Sequence, residues 1–300
     1  MQKELNLSRK LGFDEIIDHT LHLYKTDFLY YLKILLYFFI PAIALMVYGT
    51  IQVKDAYIAM LSTTVSPGTS GAGAFPGLSS IMYYGFLITV VYSLFAVLTG
   101  AGVIRGFDNK MQKQNSTEGE IVLETLRKII PITITTIIAS VILGVGFLFC
   151  FIPFFILAVY MAFIPQTIMI EGRWGFGSIG RSFSMVNGHF WQTFLIPLVF
   201  FLVYFFFSSI ITYGILLTPY IELIKGIIRN GGQTDPSLLG NFYQQYSYTI
   251  ILQSVLNSLL HLLMTPILNI ALSIKFYNIR NLKEGTQILN DIAQETSAAQ

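Results

Sequence analysis

Six long apolar stretches constrain this 300-residue chain more than any other feature of its sequence. A transmembrane helix needs about 20 consecutive, mostly apolar residues. Stretches of this kind occur at residues 28–51, 80–104, 129–150, 154–170, 190–217 and 248–274. Only 11% of the residues are charged, against about 25% in a typical soluble domain. We therefore predict an all-α, polytopic integral membrane protein with six transmembrane helices.

The third and fourth stretches form an almost continuous apolar run over residues 129–170, which is too long for one span. A proline inside a helix removes a backbone hydrogen bond, so we expect a tight helical hairpin with its turn near Pro153. The six spans form a single membrane domain over residues 1–275. Residues 276–300 are more polar and are predicted to be a cytoplasmic tail.

The distribution of basic residues predicts the orientation in the membrane. Fifteen of the 18 Lys and Arg residues lie on the side of the N-terminus, and three lie on the other side. This bias places both termini in the cytoplasm by the positive-inside rule. Acidic residues follow the same partition, which argues against a polybasic lipid-binding surface. The net charge of +2 and the absence of a basic block argue against nucleic-acid binding.

A short amphipathic segment precedes each pair of spans on the predicted cytoplasmic side. Before the third span, Thr117 and Glu120 fit a capping box at the start of a helix. Helices of this kind either lie in the headgroup plane with one face in lipid or pack beneath the bundle. The sequence leaves both arrangements open.

Three segments carry a resemblance to a known family. Residues 12–25 (GFDEIIDHTLHLYK), 171–191 and 276–285 (FYNIRNLKEG) occur in the order found in bacterial membrane proteins named for the glycerophosphoryl diester phosphodiesterase membrane domain, which this chain resembles. Residues 180–191 (GRSFSMVNGHFW) are the best-matching part, while Asn278 stands where an aspartate is common. The resemblance implies a six-span protein of the bacterial cytoplasmic membrane. It does not imply phosphodiesterase activity, because the catalytic barrel of roughly 250 residues has no room here.

The sixth span contains a stripe of polar residues. Its members follow one another at intervals of four residues: Gln253, Asn257, His261, Thr265 and Asn269. Polar side chains are costly in hydrocarbon unless they are paired, so the stripe must face other helices or a wet cavity. It is either hydrogen-bonding glue between helices or the lining of a groove for a lipid headgroup or a small solute, with His261 as a group that could titrate.

Charged residues at the cytoplasmic end of the bundle form a second candidate site. Glu171 and Arg173 flank the end of the fourth span, Arg181 follows, and Arg280 lies in the last motif. These side chains either contact a lipid phosphate or a partner protein, or anchor the chain at the interface together with Trp174 and Trp191.

The sequence lacks the usual signatures of an enzyme. It contains no HExxH, GxSxG or Walker A motif, and no cofactor or metal is expected. The glycines at 175–180 match GxGxxG, but a membrane span precedes them instead of the strand that a dinucleotide site requires.

Two functions follow from these patterns. The first is a non-catalytic protein that organises or assists membrane or cytoplasmic partners in envelope or lipid homeostasis, with membrane lipids around it. The second is a channel, permease or lipid-handling protein that uses a polar groove beside the sixth span.

Overall fold

The computed structural model describes residues 9–64, 74–149, 151–232 and 236–298, and these residues form α-helices without any strand. The helices in chain order are α1 (Phe13–Thr26), α2 (Phe28–Thr64), α3 (Ala74–Met111), α4 (Glu118–Arg127), α5 (Ile129–Phe149), α6 (Phe151–Tyr160), α7 (Ile164–Met169), α8 (Phe176–Val186), α9 (Phe190–Arg229), α10 (Pro236–Gln245) and α11 (Ser247–Ala298). Six apolar segments among them are long enough to cross a membrane. The predicted all-α, multi-pass membrane fold is confirmed.

Four of these helices extend well beyond the apolar stretches that reveal them. The α2 helix continues to Thr64, α3 reaches Met111, α9 reaches Arg229, and α11 runs without a break to Ala298. Hydropathy marks the part of a helix that suits lipid, whereas backbone hydrogen bonding continues wherever the residues allow it. The predicted cytoplasmic tail therefore begins inside α11, and its first residues, among them Phe276 and Ile279, are buried.

The break in the middle of the chain lies slightly before Pro153. The α5 helix ends at Phe149 and α6 begins at Phe151, while residue 150 lies outside the described residues. Pro153 thus occupies the first turn of α6, where a missing N–H breaks no helical hydrogen bond. A Cβ at Gly146 would lie 2.8 Å from Leu157, so this glycine permits the close approach of α5 and α6.

A short helix precedes each pair of spans, and a brief break in the helical structure separates it from the first span of the pair. The breaks lie between α1 and α2, between α4 and α5, and between α8 and α9. Each short helix buries a hydroxyl residue within the protein: Thr20 in α1, Thr125 in α4 and Ser182 in α8. The predicted capping box begins α4, where the Glu120 amide donates to Thr117 Oγ1 at 3.4 Å and the Thr117 amide donates to Glu120 Oε2 at 3.0 Å.

The chain divides into two compact units. Unit 1 comprises Met1–Tyr37, Val97–Phe201 and Met264–Gln300, and unit 2 comprises Phe38–Ala96 and Leu202–Leu263. Within unit 1 the rings of Phe163 and Phe276 meet at a centroid distance of 5.6 Å. Within unit 2 a Cβ at Gly49 would lie 2.1 Å from Ile88, so α2 and α3 approach closely at that glycine.

Asn278 connects the two ends of the chain within unit 1. Its Oδ1 accepts a hydrogen bond from the Leu11 amide at 3.3 Å, and its Nδ2 donates to the Arg9 carbonyl at 2.7 Å. Asn278 and Leu11 are both buried, so the Leu11 amide depends on this side chain for its hydrogen bond.

Replacing Asn278 with aspartate tests this connection. The carboxylate keeps an acceptor for Leu11 but cannot donate to Arg9, and it faces that carbonyl with a negative charge. We expect Asn278→Asp to lower the free energy of unfolding by about 1–3 kcal/mol, measured by thermal and denaturant unfolding in detergent. The exposed Asn115→Asp is the matched control, and equal stability of the two variants would contradict this role of Asn278.

Candidate functional site

The last motif segment, residues 276–285, contacts the second motif segment and the residues directly before the first in unit 1. Besides the contacts between Asn278 and the N-terminal segment, Lys283 in α11 reaches the end of α8. Its Nζ donates to the carbonyls of Ser184 at 2.5 Å and Asn187 at 2.9 Å. A lysine at the end of a helix satisfies carbonyls that have no partner inside that helix. Residues that lie between 96 and 269 positions apart in the chain are thus joined in one assembled surface.

Arg181 is the centre of an internal ion-pair network. Its guanidinium donates to both carboxylate oxygens of Glu171, from Nε to Oε2 at 2.9 Å and from Nη2 to Oε1 at 2.7 Å. The same Nη2 donates to Glu284 of α11 at 2.5 Å. The side chains of Glu171 and Arg181 are only 11% and 17% exposed. Two of the predicted docking residues are therefore bound mainly to each other.

The other two predicted docking residues differ from this pair. Arg173 also contacts Glu171, at 3.3 Å, but its side chain is 56% exposed. Arg280 lies over the ring of Tyr277, with its guanidinium carbon 4.4 Å from the ring centroid. The structure thus brings Glu171, Arg173 and Arg181 together, whereas the described contact of Arg280 is with a neighbouring aromatic ring.

Asp108 is a buried charge that the sequence analysis placed outside the spans. It lies in the last turn of α3, beyond the end at residue 104 that hydropathy predicts, and its side chain is fully buried. Arg105 Nη1 donates to Asp108 Oδ2 at 2.7 Å, and the hydroxyl of Tyr277 donates to Oδ1. The spacing of Arg105 and Asp108 on one helical face is the signal in the sequence that could have identified the pair.

Lys128 is another cation of unit 1, and it donates hydrogen bonds to backbone carbonyls. Its Nζ donates to the carbonyls of Ile168 and Met169, each at 3.1 Å. Burial lowers the pKa of this ammonium group, and the nearby charge of Arg105 lowers it further. The lysine supplies hydrogen bonds to the end of α7, which is a structural use.

The polar stripe of the sixth span is divided between the two units. In unit 2, Asn257 accepts from Ser208 at 2.8 Å and donates to Thr212 at 3.3 Å, and Gln253 also donates to Thr212, at 3.1 Å. These bonds join α11 to α9.

Unit 2 also holds the histidine of the stripe, and unit 1 holds its last two members. The ring of His261 lies 6.1 Å from those of both Tyr92 and Tyr204. In unit 1, Asn269 donates to the carbonyl of Thr265 at 2.8 Å. Beside it a Cβ at Gly100 would lie 3.1 Å from Asn269 Nδ2.

Gln253 and Asn257 thus hydrogen-bond to a neighbouring helix, while His261 contacts aromatic rings. The cavity of about 240 Å³ between α2 and α3 is not lined by any stripe residue, although its lining includes Tyr92, whose ring contacts His261. This geometry favours the interpretation of the stripe as an interhelical contact over its interpretation as a groove lining.

The remaining motifs serve the local structure. Gly175 has a φ of +59° directly before α8, a conformation that glycine adopts without strain, and its amide donates to Thr135 at 2.8 Å. This explains one glycine of the GxGxxG match by the turn into α8. Among the described residues, no three His, Cys, Asp or Glu side chains are grouped as metal ligands.

Removing Arg181 should destabilise unit 1 because Glu171 would keep its charge at a mostly buried position. Loss of one partner of a buried ion pair costs about 3–5 kcal/mol, so we expect Arg181→Ala to lower the free energy of unfolding by about 3 kcal/mol. Arg173→Ala, which removes an exposed partner of the same carboxylate, should cost less than about 1 kcal/mol. Denaturant unfolding in detergent measures both, and equal costs would show that Arg181 has no special role.

A double-mutant cycle tests the hydrogen bond between α9 and α11. Polar pairs inside membranes couple by about 0.6 kcal/mol on average, and we expect a similar coupling between Asn257→Leu and Ser208→Ala in unfolding measurements. Ser209, whose hydroxyl donates to the carbonyl of Phe205 in its own helix, supplies the control Ser209→Ala, which should show no coupling. A coupling near zero for Ser208 would argue against the interhelical interpretation.

The chain has no match among known proteins at any of three levels of comparison. No protein-family model, no curated protein and no solved structure matches it. Its site residues are therefore interpreted from their own contacts, and the all-α membrane fold is what those contacts and the helix lengths establish.

Proposed function

We propose that this chain is a non-catalytic protein of the bacterial cytoplasmic membrane that organises or assists partner proteins in envelope or lipid homeostasis. Both termini are assigned to the cytoplasm on the distribution of basic residues. We also propose that it is related to the glycerophosphoryl diester phosphodiesterase membrane-domain family, without the catalytic domain. The contacts of the last motif segment with the second, and with the residues directly before the first, are the observation that carries this proposal.

The contacts of the motif residues hold this surface together, which favours a binding role over a catalytic one. Arg181 is paired with Glu171 and Glu284, and Asn278 and Lys283 bond to backbone groups. Groups committed to such contacts are poorly suited to catalysis, which requires a side chain within reach of a reacting atom. A surface made rigid in this way can present its exposed residues in a fixed arrangement.

Two aromatic side chains near this surface are exposed. Trp174 is 57% exposed and Phe176, the first residue of α8, is 73% exposed, and both follow the exposed Arg173 closely in the chain. Aromatic residues and arginine are the residue types that contribute most energy at protein interfaces. We therefore assign partner binding to the segment from Arg173 to Phe176.

A second candidate function, lipid handling, is favoured by an apolar groove in unit 1. The groove has a volume of about 730 Å³ and is lined by residues of α6 and α9, among them Phe155, Trp191 and Phe194. It lies beside the fifth span and not beside the polar stripe of the sixth. A lipid chain fits this chemistry without any polar contact.

Photo-crosslinking in cells tests the partner proposal. A photoreactive phenylalanine at position 174 or 176 should give one discrete protein adduct, identified by mass spectrometry. Position 206, which carries an exposed phenylalanine within the apolar part of α9, is the control and should give lipid adducts alone.

A second measurement makes the result decisive. The double variant Trp174→Ala, Phe176→Ser should reduce co-purification of the identified protein by roughly tenfold or more, as the loss of two interface aromatics predicts. Lipid adducts alone at positions 174 and 176, as at 206, would reject the partner proposal and favour lipid handling.

A further inference from the structure

A polar cavity lies in unit 2, where α10 packs against the end of α9. A Cβ at Gly226 would lie 2.8 Å from Leu238, so this glycine lets the two helices approach closely. The rings of Tyr220 and Phe242 stack at a centroid distance of 6.1 Å and make a second contact between α9 and α10. The cavity has a volume of about 320 Å³, and its polar lining residues are Glu222, Asn230, Asn241, Gln245 and Tyr246.

The position of this cavity in the chain favours a polar ligand. Its lining residues fall between residues 222 and 246, whereas the fifth apolar stretch ends at residue 217 and the sixth begins at residue 248. The α9 helix has 40 residues, which corresponds to a length of about 60 Å. The hydrocarbon core of a bilayer is only about 30 Å thick, so the last turns of α9 extend beyond it.

The carboxylate of Glu222 lines the cavity without a cationic partner. Its Oε2 accepts a hydrogen bond from the hydroxyl of Tyr246, which in turn accepts one from Gln245 Nε2 at 3.4 Å. None of the ion pairs among the described residues includes Glu222, although Lys225 and Arg229 follow it on the same helix. The described lining also contains no Lys, Arg or His. The cavity therefore presents a negative charge that a cationic ligand would neutralise.

Two further features of the cavity favour a cation. The rings of Phe242 and Tyr246 both line it, with centroids 5.3 Å apart, and aromatic faces attract cations. Asn230, which also lines the cavity, directly follows the last residue of α9. The C-terminal end of a helix carries a partial negative charge, so the backbone adds to the potential of Glu222.

The remaining lining groups match an ammonium group that carries N–H donors. A primary ammonium has three such donors, and the carboxylate of Glu222 and the amide oxygens of Asn230 and Asn241 can accept them. Hydrogen bonds between ionised partners are stronger than neutral ones. A neutral sugar would match the amides equally well, but it would leave Glu222 without a counter-ion.

We propose that this cavity binds a primary ammonium group, with Glu222 as its counter-ion and the side-chain amides of Asn230 and Asn241 as further partners. Soluble amines and the headgroup of phosphatidylethanolamine share this group, and the position of the cavity beyond the apolar stretches favours a soluble amine. The site belongs to unit 2 and uses no residue of the segment from Arg173 to Phe176. It therefore stands independently of partner binding.

Fluorine NMR at two neighbouring tyrosines provides a site-specific test. Full-length protein with 3-fluorotyrosine at position 246, which lines the cavity, is reconstituted into nanodiscs of phosphatidylglycerol, a lipid without nitrogen, and titrated with ethanolamine. A second preparation carries the label at position 248, an exposed tyrosine outside the cavity lining. We expect a saturable shift of the signal at position 246 and no shift at position 248.

Substitutions of exposed residues test the predicted roles with little risk to folding. Glu222→Gln should weaken ethanolamine binding by about tenfold, because it removes a hydrogen bond to a charged group, and Asn241→Ala should weaken it severalfold. Two controls should leave the affinity unchanged. They are Asp55→Asn, an exposed acidic residue of α2, and Gln244→Ala, an exposed residue of α10 that does not line the cavity.

Ethylene glycol, in which a hydroxyl replaces the ammonium group, tests the class of ligand. We expect it to bind at least tenfold more weakly than ethanolamine, since it cannot neutralise Glu222. The proposal would be overturned by equal binding of the two compounds, by an affinity that Glu222→Gln does not change, or by the absence of a saturable ethanolamine shift at position 246.

Nanodiscs that contain phosphatidylethanolamine separate the two sources of the ammonium group. An unchanged affinity for free ethanolamine in these nanodiscs would support a soluble amine as the ligand. A signal at position 246 that already lies at its ligand-bound frequency, together with a lowered affinity for free ethanolamine, would retain the ammonium site and assign it to the lipid headgroup.

Discussion

Buried polar groups have no water to bond with, and this constraint governs how both units are built. Asp108 finds Arg105 and Tyr277, Asn257 in the other unit finds Ser208 and Thr212, and Lys128 finds two carbonyls. Each contact meets the requirement that a buried polar group needs a partner. Because Tyr277, Ser208 and Thr212 lie on a different helix from the side chain that each contacts, these bonds also fix which helices are neighbours.

The motif segments illustrate this principle on a larger scale. Arg9, Arg181 and Asn278 belong to three distant parts of the sequence, yet each contacts a residue of another of these parts. A motif of this kind can be needed for assembly without taking part in chemistry. Fixed charges and amides at such junctions specify one arrangement of the helices, since any other arrangement leaves them unpaired.

The sequence predicts the helices more completely than it predicts their contacts. Long apolar runs reveal all six spans, and Thr117 with Glu120 reveals the start of α4, because these signals are local. The pairing of Lys275 with Gln192 cannot be found in this way, since the two residues are 83 positions apart and neither is unusual in its own segment. Asp108 was missed for another reason. The apolar stretch of the sequence ends where charged residues begin, although the helix α3 continues beyond that point.

Arg181 and Lys275 are two buried charges with different partners. The guanidinium of Arg181 is held by two carboxylates, so its charge is already used within the chain. The ammonium of Lys275 faces a neutral amide and lies among other basic groups, so its charge remains uncompensated by the described residues. The first charge is paired within the chain, whereas burial of the second costs free energy that an amide oxygen offsets only in part.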